Sequence, residues 1–339
     1  MKAVVLVKNG VADKAFEIRN VNQPKPSNNE VLIKVEGFGL NFADVMARLG
    51  LYKAAPPLPS IIGYDVVGII DKLGENVTNL KIGQRVLALT KFGGYAEYAV
   101  TDARGVVAVS ENMPAGEAVA MATQYCTAYY CSHEAMNLHK GDYVLIHAAA
   151  GGVGIALVQL AKYKGCKIIG TASSKKIDFL KKQGVDYAID YTKEDFEKII
   201  IDKIGEKKID AVFDSIGGKS VKKGFNLLGT TGKIVCFGAS PMADAKGNIF
   251  KKLKIARGFG KYSPISLIAG SKSIIGVNML PIADHKTDLY KNCLNNLIDL
   301  YNKKVIKPVV GGEFNVEQIA KAHHFLESRE SIGKIVVKW

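Results

Sequence analysis

Cysteine is scarce in this chain and poorly spaced for a cross-linked or metal-bound scaffold. The five residues, Cys126, Cys131, Cys166, Cys236 and Cys293, are odd in number, and no C-x-x-C pair occurs. That argues against a disulfide framework and a cysteine zinc cluster, and leaves most of the thiols as small buried hydrophobes. The six histidines include adjacent His323 and His324, which on a helix point to different faces and suggest no metal pair. Low-complexity tracts and internal repeats are also missing. The opening stretch Met1–Val7 is too short for a signal h-region and carries no cleavage site, so it reads as a first strand, and a cytoplasmic location is expected. The uncharged run Val144–Ala161 has 18 residues, near the length of a membrane span. His147, Gln159 and three glycines within it favour a buried strand, turn and helix instead.

Acidic residues are the minority charge, 32 against 46 Lys and Arg, for a net charge of +14. Such an excess suits nucleic acid, an anionic membrane surface or anionic small molecules. The lysines are scattered except for a denser stretch at 246–261, with Lys246, Lys251, Lys252, Lys254, Arg257 and Lys261. No nucleic-acid motif accompanies it, so it reads as a solvated basic face, and neither nucleic acid nor membrane is the favoured partner. With 339 residues and 48% hydrophobic content, the chain is long enough for two domains with sizeable cores.

The stretch that organises the chain is 142–163. Val144 to Ala148 suits a strand buried on both faces, Ala149-x-Gly151-x-x-Gly154 follows, and Gly154 to Lys164 has helical composition and apolar spacing. Strand, glycine turn and helix in this order form a dinucleotide fingerprint with Ala149 in place of the first glycine. A bare backbone at Gly151, Gly152, Val153 and Gly154 lets a pyrophosphate reach N–H groups at a helix N-terminus. From 140 to about 245 the pattern alternates: strands 143–148, 167–171, 187–190, 210–214 and 233–237, with helices 153–164, 174–183, 194–204 and 219–228 between them. That rhythm predicts a doubly wound parallel sheet and an α/β fold class. Residues 1–120 read as β-rich instead, with strands 2–8, 30–38, 66–73 and 85–89 and a short helix at 41–49. Residues 246–272 read as a basic loop or lid. A strand-like run at 272–279, helices at 288–303 and 316–329 and a final strand at 333–338 complete the chain.

The second strand of the parallel sheet ends Thr171-Ala172-Ser173-Ser174-Lys175-Lys176, with no acid. An acid at this point would bind the ribose 2′-hydroxyl of NAD, whereas Ser173, Lys175 and Lys176 can hold the 2′-phosphate of NADPH. The same serine could cap the next helix and the lysines could simply be solvated. Phe237-Gly238-Ala239-Ser240 follows another strand C-terminus, where ligands bind in open α/β sheets.

The motifs now carry a resemblance. Asn41 with Gly50-Leu51-Tyr52, Gly63-Tyr64-Asp65-Val66-Val67-Gly68, Gly93-Gly94-Tyr95-Ala96-Glu97-Tyr98, Thr127-Ala128-Tyr129, the glycine turn and Gly333-Lys334 fall in family order. Over essentially its whole length the chain resembles the zinc-free medium-chain dehydrogenase/reductases of the quinone oxidoreductase type. Leu40-Asn41-Phe42-Ala43-Asp44-Val45-Met46-Ala47-Arg48 is similar to the branch of the vesicle amine transport protein 1 homologue. The resemblance implies a GroES-like β-rich domain at 1–122 and 280–339, interrupted by a Rossmann domain at 123–279. Zinc-dependent members carry cysteine near Asn41, Gly-His-Glu near 63–65, and a four-cysteine loop; here Asn41, Tyr64 and a cysteine-free Lys91–Ala99 stand instead. No metal is expected, and Asp65 reads as a structural carboxylate near the cleft.

Without a metal, the easier reaction is hydride donation from NADPH to an already electrophilic acceptor, a quinone or an α,β-unsaturated carbonyl. The resemblance places Tyr52 beside the nicotinamide, where its phenol is a donor rather than a base. Asn41 could bond the nicotinamide ribose or a substrate carbonyl, and Tyr64 could line the acceptor slot. Thr127, Tyr191, Gly276-Val277-Asn278 and Lys334 resemble family positions on the cofactor. Three functions follow: an NADPH-dependent quinone oxidoreductase; an enone or 2-enoyl-thioester reductase on the same fold; and an NADPH-binding, membrane- or RNA-associated protein with little catalysis. The resemblance also suggests a homodimer, with 274–279 as a candidate edge.

Overall fold

The computed structural model describes residues 1–245 and 248–339, and these divide into two compact units. Lys246, of the predicted basic stretch, lies outside the described residues. The first unit comprises Met1–Cys126 and Met279–Trp339, the second Thr127–Asn278.

The first unit is built on β-structure. Its strands are β1 (Lys2–Leu6), β2 (Phe16–Asn20), β3 (Glu30–Leu40), β4 (Asp65–Leu73), β5 (Arg85–Leu89), β6 (Tyr98–Asp102) and β7 (Val106–Ala108). The second unit contributes β8 (Tyr143–Ile146), β9 (Lys167–Ala172), β10 (Tyr187–Asp190), β11 (Ile209–Asp214), β12 (Leu228–Cys236) and β13 (Ser273–Gly276). The chain then returns to the first unit for β14 (Val310–Asn315) and β15 (Lys334–Lys338). β1 and β2 form an antiparallel pair, and the larger sheet runs β14-β15-β3-β4-β5-β7, with β6 also on β3. β3 is 11 residues long, so one half pairs with β6 and the other with β15. Its inward residues Val31, Ile33, Phe38 and Leu40 meet Val66, Val86, Tyr95, Ile335 and Val337 in one apolar core.

In the second unit all pairings are parallel, in the order β10-β9-β8-β11-β12-β13. The order reverses beside β8, which makes the C-terminal ends of the strands around β8 the ligand-binding edge of such a sheet. Helices Gly152–Tyr163, Ile177–Gln183, Phe196–Ile204 and Lys219–Leu227 connect successive strands. Leu145, Ile169, Ile189, Val212 and Ile234 stack across the strands as the core, since strands covered on both faces need apolar residues in continuous runs.

Three sequence expectations change. β2, β6, β7 and β14 are strands that the pattern did not reveal. Residues 246–272, expected as a loop or lid, contain helices Ile249–Gly258 and Pro264–Gly270. Asn248 caps the first, its side chain accepting the Lys251 N–H at 2.9 Å, and Ser263 caps the second. The run 272–279 splits into β13 and a helix beginning at Met279. Four of the five cysteines are buried and Cys236 is half-buried; none forms a disulfide.

Candidate functional site

In the second unit the glycine turn is a cradle. After β8, Ala148 takes a left-handed backbone conformation (φ 51°), the Gly151 N–H closes the turn on the Ala148 carbonyl at 2.8 Å, and Gly151 precedes the helix. Gly154 is required by close approach: a Cβ there would overlap the Ala148 carbonyl and lie 2.7 Å from the Ala149 Cα. Because Gly151 has no side chain to cap the helix, the first-turn N–H groups of Gly152, Val153 and Gly154 are left to serve an anion. The bare backbone and open helix start fit the pyrophosphate of a dinucleotide.

The other predicted cofactor residues in this unit gather mainly at the same edge of the sheet. Ser173, Lys175 and Lys176 follow β9, Tyr191 follows β10, Phe237 to Ser240 follow β12, and Gly276, Val277 and Asn278 end or follow β13. Backbone bonds hold the ends in register: Tyr191 N–H to Ala172 O at 3.2 Å, Phe237 N–H to Asp214 O at 3.0 Å, and Val277 N–H to Cys236 O at 2.9 Å. The acid at the end of β10, Asp190, is engaged by hydroxyls. It accepts from Ser174 and, at 2.6 Å, from Thr192, and these bonds hold its carboxyl below the usual range. Thr127, by contrast, lies in the short helix Cys126–Tyr129 rather than at a strand end.

Two residues that sequence reasoning did not assign sit behind the cradle. His147 bonds Thr171 through Nδ1 at 3.1 Å, and its Nε2 lies 4.0 Å from Asp214 Oδ2. Both facing atoms are buried without a hydrogen-bond partner among the described residues. Burial lowers the histidine pKa while Asp214 opposes that shift. The available signal was a histidine directly after the apolar run of β8.

In the first unit, Asn41, Asp65 and Lys334 form a buried polar cluster. Lys334 and Asp65 have no exposed surface and form an ion pair. The ammonium also donates to Asn41 Oδ1 at 3.0 Å, Asn41 Nδ2 donates to Asp65 Oδ1 at 2.5 Å, and the Thr123 hydroxyl donates to the same oxygen at 2.7 Å. Local sequence explains the geometry. Gly39 lies opposite Asp65 in the β3–β4 register, and a Cβ on Gly39 would sit 2.6 Å from the Lys334 amine and 2.7 Å from Asp65 Oδ2. Only glycine leaves the volume that the lysine fills. Lys334 is thus placed beside Asn41 within the first unit.

Asp44, three residues into the helix that Asn41 starts, accepts the Asn41 N–H at 2.8 Å through Oδ2, while Oδ1 has no partner among the described residues. Burial pushes its carboxyl up to about 8, the Asn41 N–H opposing and Asp65 reinforcing the shift. Tyr52 and Tyr64 meet edge to face with ring centroids 6.3 Å apart, and Phe92 packs on Tyr64 at 5.2 Å. Burial raises both phenols, Tyr64 the further, with Asp44 adding to it. Both hydroxyls therefore stay protonated. The Tyr64 hydroxyl is buried with no partner among the described residues.

This donor set does not fit zinc. Asp65 is neutralised by an ammonium group rather than available to a cation, Asn41 and Tyr64 are poor ligands, and no three His, Cys, Asp or Glu side chains converge among the described residues.

Comparisons with known proteins agree with the two folds. Residues 27–111 match the alcohol dehydrogenase GroES-like domain and residues 152–292 the zinc-binding dehydrogenase family. The synaptic vesicle membrane protein VAT-1 homolog of Danio rerio is 36% identical over 99% of this chain and 69% of its own length. The Escherichia coli quinone oxidoreductase, crystallised with NADPH, superposes with a TM-score of 0.86 at 26% identity over the full length of both chains. The CurK enoyl reductase does so at 0.84 and 27% identity, over 99% of this chain and 98% of its own. The chain belongs to the medium-chain dehydrogenase/reductase family, in the branch of the vesicle amine transport protein 1 homologues.

Proposed function

We propose that the protein is an NADPH-dependent, metal-free oxidoreductase whose acceptors are quinones. The observation that carries the reading is the cradle: a helix that opens on uncapped N–H groups behind a turn where a side chain on Gly154 would overlap the backbone. Bound NADPH supplies the hydride. Gly152, Val153 and Gly154 bind its pyrophosphate, and Ser173, Lys175 and Lys176 its 2′-phosphate. Tyr191, Phe237 to Ser240, Gly276 to Asn278 and Thr127 complete the cofactor contacts. Lys334 acts through Asn41. With Oδ1 held by the ammonium and one Nδ2 hydrogen by Asp65, the second Nδ2 hydrogen of Asn41 is the donor left for an acceptor oxygen or the nicotinamide ribose. Tyr52 and Tyr64 remain phenols and serve as donors, not bases. A reduced quinone takes its proton from water, so no side chain need be a strong acid.

Reduction of enones or 2-enoyl thioesters is the second reading. It is favoured by the likeness to an enoyl reductase and by the Tyr64 hydroxyl, which has no hydrogen-bond partner among the described residues and is a donor suited to an enolate oxygen. A steady-state acceptor screen with NADPH and NADH side by side separates the two. Quinone rates above enone rates support the first reading, and the reverse order supports the second. We also propose a homodimer formed through β13, whose only strand partner among the described residues is β12. Light scattering on the eluting protein tests it.

A further inference from the structure

Two buried polar atoms in the second unit face each other without bonding. His147 is 3% exposed and Asp214 not at all. Nε2 of the one and Oδ2 of the other are 4.0 Å apart, and neither has a hydrogen-bond partner among the described residues. Both atoms have lost water and gained nothing for it, which is unfavourable. An imidazole that gives its ring proton to Thr171 presents a lone pair at Nε2, and a carboxylate oxygen repels it. One added proton turns that repulsion into a charge-assisted N–H···O bond of about 2.7–2.9 Å.

The pair joins the chain segments that make the cofactor edge. His147 directly precedes Ala148, where the cradle turn begins, and its backbone N–H donates to Phe213 O at 3.0 Å. Its Nδ1 is bonded to Thr171, whose carbonyl accepts the Ala149 N–H at 3.0 Å. Asp214 Oδ1 accepts the Ile216 N–H at 2.8 Å and the Gly217 N–H at 2.7 Å, which folds the loop after β11. That loop lies against the one after β12: a Cβ on Gly238 would overlap the Ser215 carbonyl, and one on Gly217 would come 3.0 Å from the Gly238 carbonyl. Closing Nε2 onto Oδ2 therefore ties the glycine cradle to the loops after β11 and β12.

The charges nearby favour a proton there once the dinucleotide is bound. The groups around the imidazole are Thr171 from β9, Asp214 from β11 and the Phe196 ring, edge to face at 4.7 Å. Lys223 lies 5.4 Å from the Phe196 centroid and is bonded to Asp195, and burial keeps Cys236, on the Asp214 side, a thiol by raising its pKa to about 12. Burial lowers the histidine pKa, so the imidazole of the free protein is neutral. A pyrophosphate on Gly152, Val153 and Gly154 adds negative charge a few residues from it and opposes that shift. We propose that His147 and Asp214 are positioning residues that close into an ion pair, with uptake of one proton from solvent, when NADPH enters the cradle. The inference rests on the dinucleotide reading of the cradle and is independent of the acceptor.

Calorimetry of NADPH binding to the full chain near neutral pH, in buffers of different ionisation enthalpy, counts the protons taken up. The 2′-phosphate titrates near pH 6, roughly, so the comparison is between proteins. The unaltered chain is expected to take up about half a proton or more beyond His147→Gln and Asp214→Asn. Asn keeps a carbonyl oxygen for the Ile216 and Gly217 N–H groups. The affinity gain is complete below the free-state pKa of His147 and is lost as pH rises through the bound-state one. Between the two, Kd for NADPH rises by up to about tenfold per pH unit, a component that both variants lose. Side-chain ¹⁵N spectra of the unaltered chain read the same event without a substitution: one histidine becomes imidazolium as NADPH is added. Equal proton uptake in the three proteins, or histidine rings that all keep their protonation state on saturation, overturns the proposal and leaves the dinucleotide site standing. Failure of the unaltered chain to bind NADPH overturns the site itself and the clamp with it.

Discussion

Replacing Lys334 by methionine leaves the Asp65 carboxylate with no cation and no exposed surface. Its remaining partners are the Asn41 amide and the Thr123 hydroxyl, both neutral donors. Breaking a buried ion pair by removing one member costs about 3–5 kcal/mol, because the survivor keeps an uncompensated charge. In a unit of this size each kcal/mol moves the melting temperature by about 2–4 °C, so the variant is expected to melt about 6–20 °C lower. Asp65→Asn strands the ammonium and is expected to lose a similar amount. The double variant Asp65→Asn with Lys334→Met keeps the volume and removes both charges, and is expected within about 2 kcal/mol of the parent. Chemical denaturation of the four proteins gives the cycle, with an expected coupling of at least about 3 kcal/mol. Single losses below about 1 kcal/mol, or a double loss equal to the sum of the singles, would show that the pair is hydrated. In that case it could not hold Asn41 rigidly.

Three other perturbations have defined outcomes. Gly154→Ala places a methyl group against Ala148 and Ala149 and is expected to cost about 1–3 kcal/mol of stability and to weaken NADPH binding, read by calorimetry. Lys175→Ala with Lys176→Ala is expected to weaken NADPH about tenfold or more and leave NADH unchanged; an unaltered NADPH/NADH ratio refutes the phosphate assignment. Asp44 is raised from 3.8 to about 8, so between these values the folded state binds a proton that the unfolded state has released. Its contribution to stability is therefore present below its unfolded pKa and is lost as pH rises toward 8, by up to about 1.4 kcal/mol per pH unit. Asp44→Asn is expected to flatten that slope in denaturation curves collected from pH 5 to pH 8, and an unchanged slope would place the titration elsewhere.

The parallel sheet was legible because each buried strand is a short apolar run and each connection has helical spacing. The cradle was legible because its glycines follow such a strand. What stayed hidden has physical reasons. β2 alternates charged and apolar residues as Phe16-Glu17-Ile18-Arg19-Asn20 and is largely exposed, so no apolar run marks it. β14 begins Val310-Gly311-Gly312, a composition that reads as a turn. Gly258, Gly260 and Gly270 made 246–272 look irregular, whereas Asn248 and Ser263 were the cap residues that start its two helices. A lysine near a chain end is ordinarily solvated, and nothing in the local pattern around Lys334 announces burial. The signal lay nearly 300 residues away in Gly39, whose missing side chain makes the room. Asp44 was hidden for a related reason: an acid in the first turn of a helix usually faces water, and only the packed structure shows it enclosed.

The central claim is that this chain passes a hydride from NADPH without a metal. The direct measurement is the rate of quinone-dependent NADPH oxidation by chelator-treated protein, with [4,4-²H₂]NADPH against unlabelled NADPH. The account predicts full turnover after chelation and a primary isotope effect on kcat/KM. Loss of turnover on chelation, with recovery on adding Zn²⁺, would contradict it.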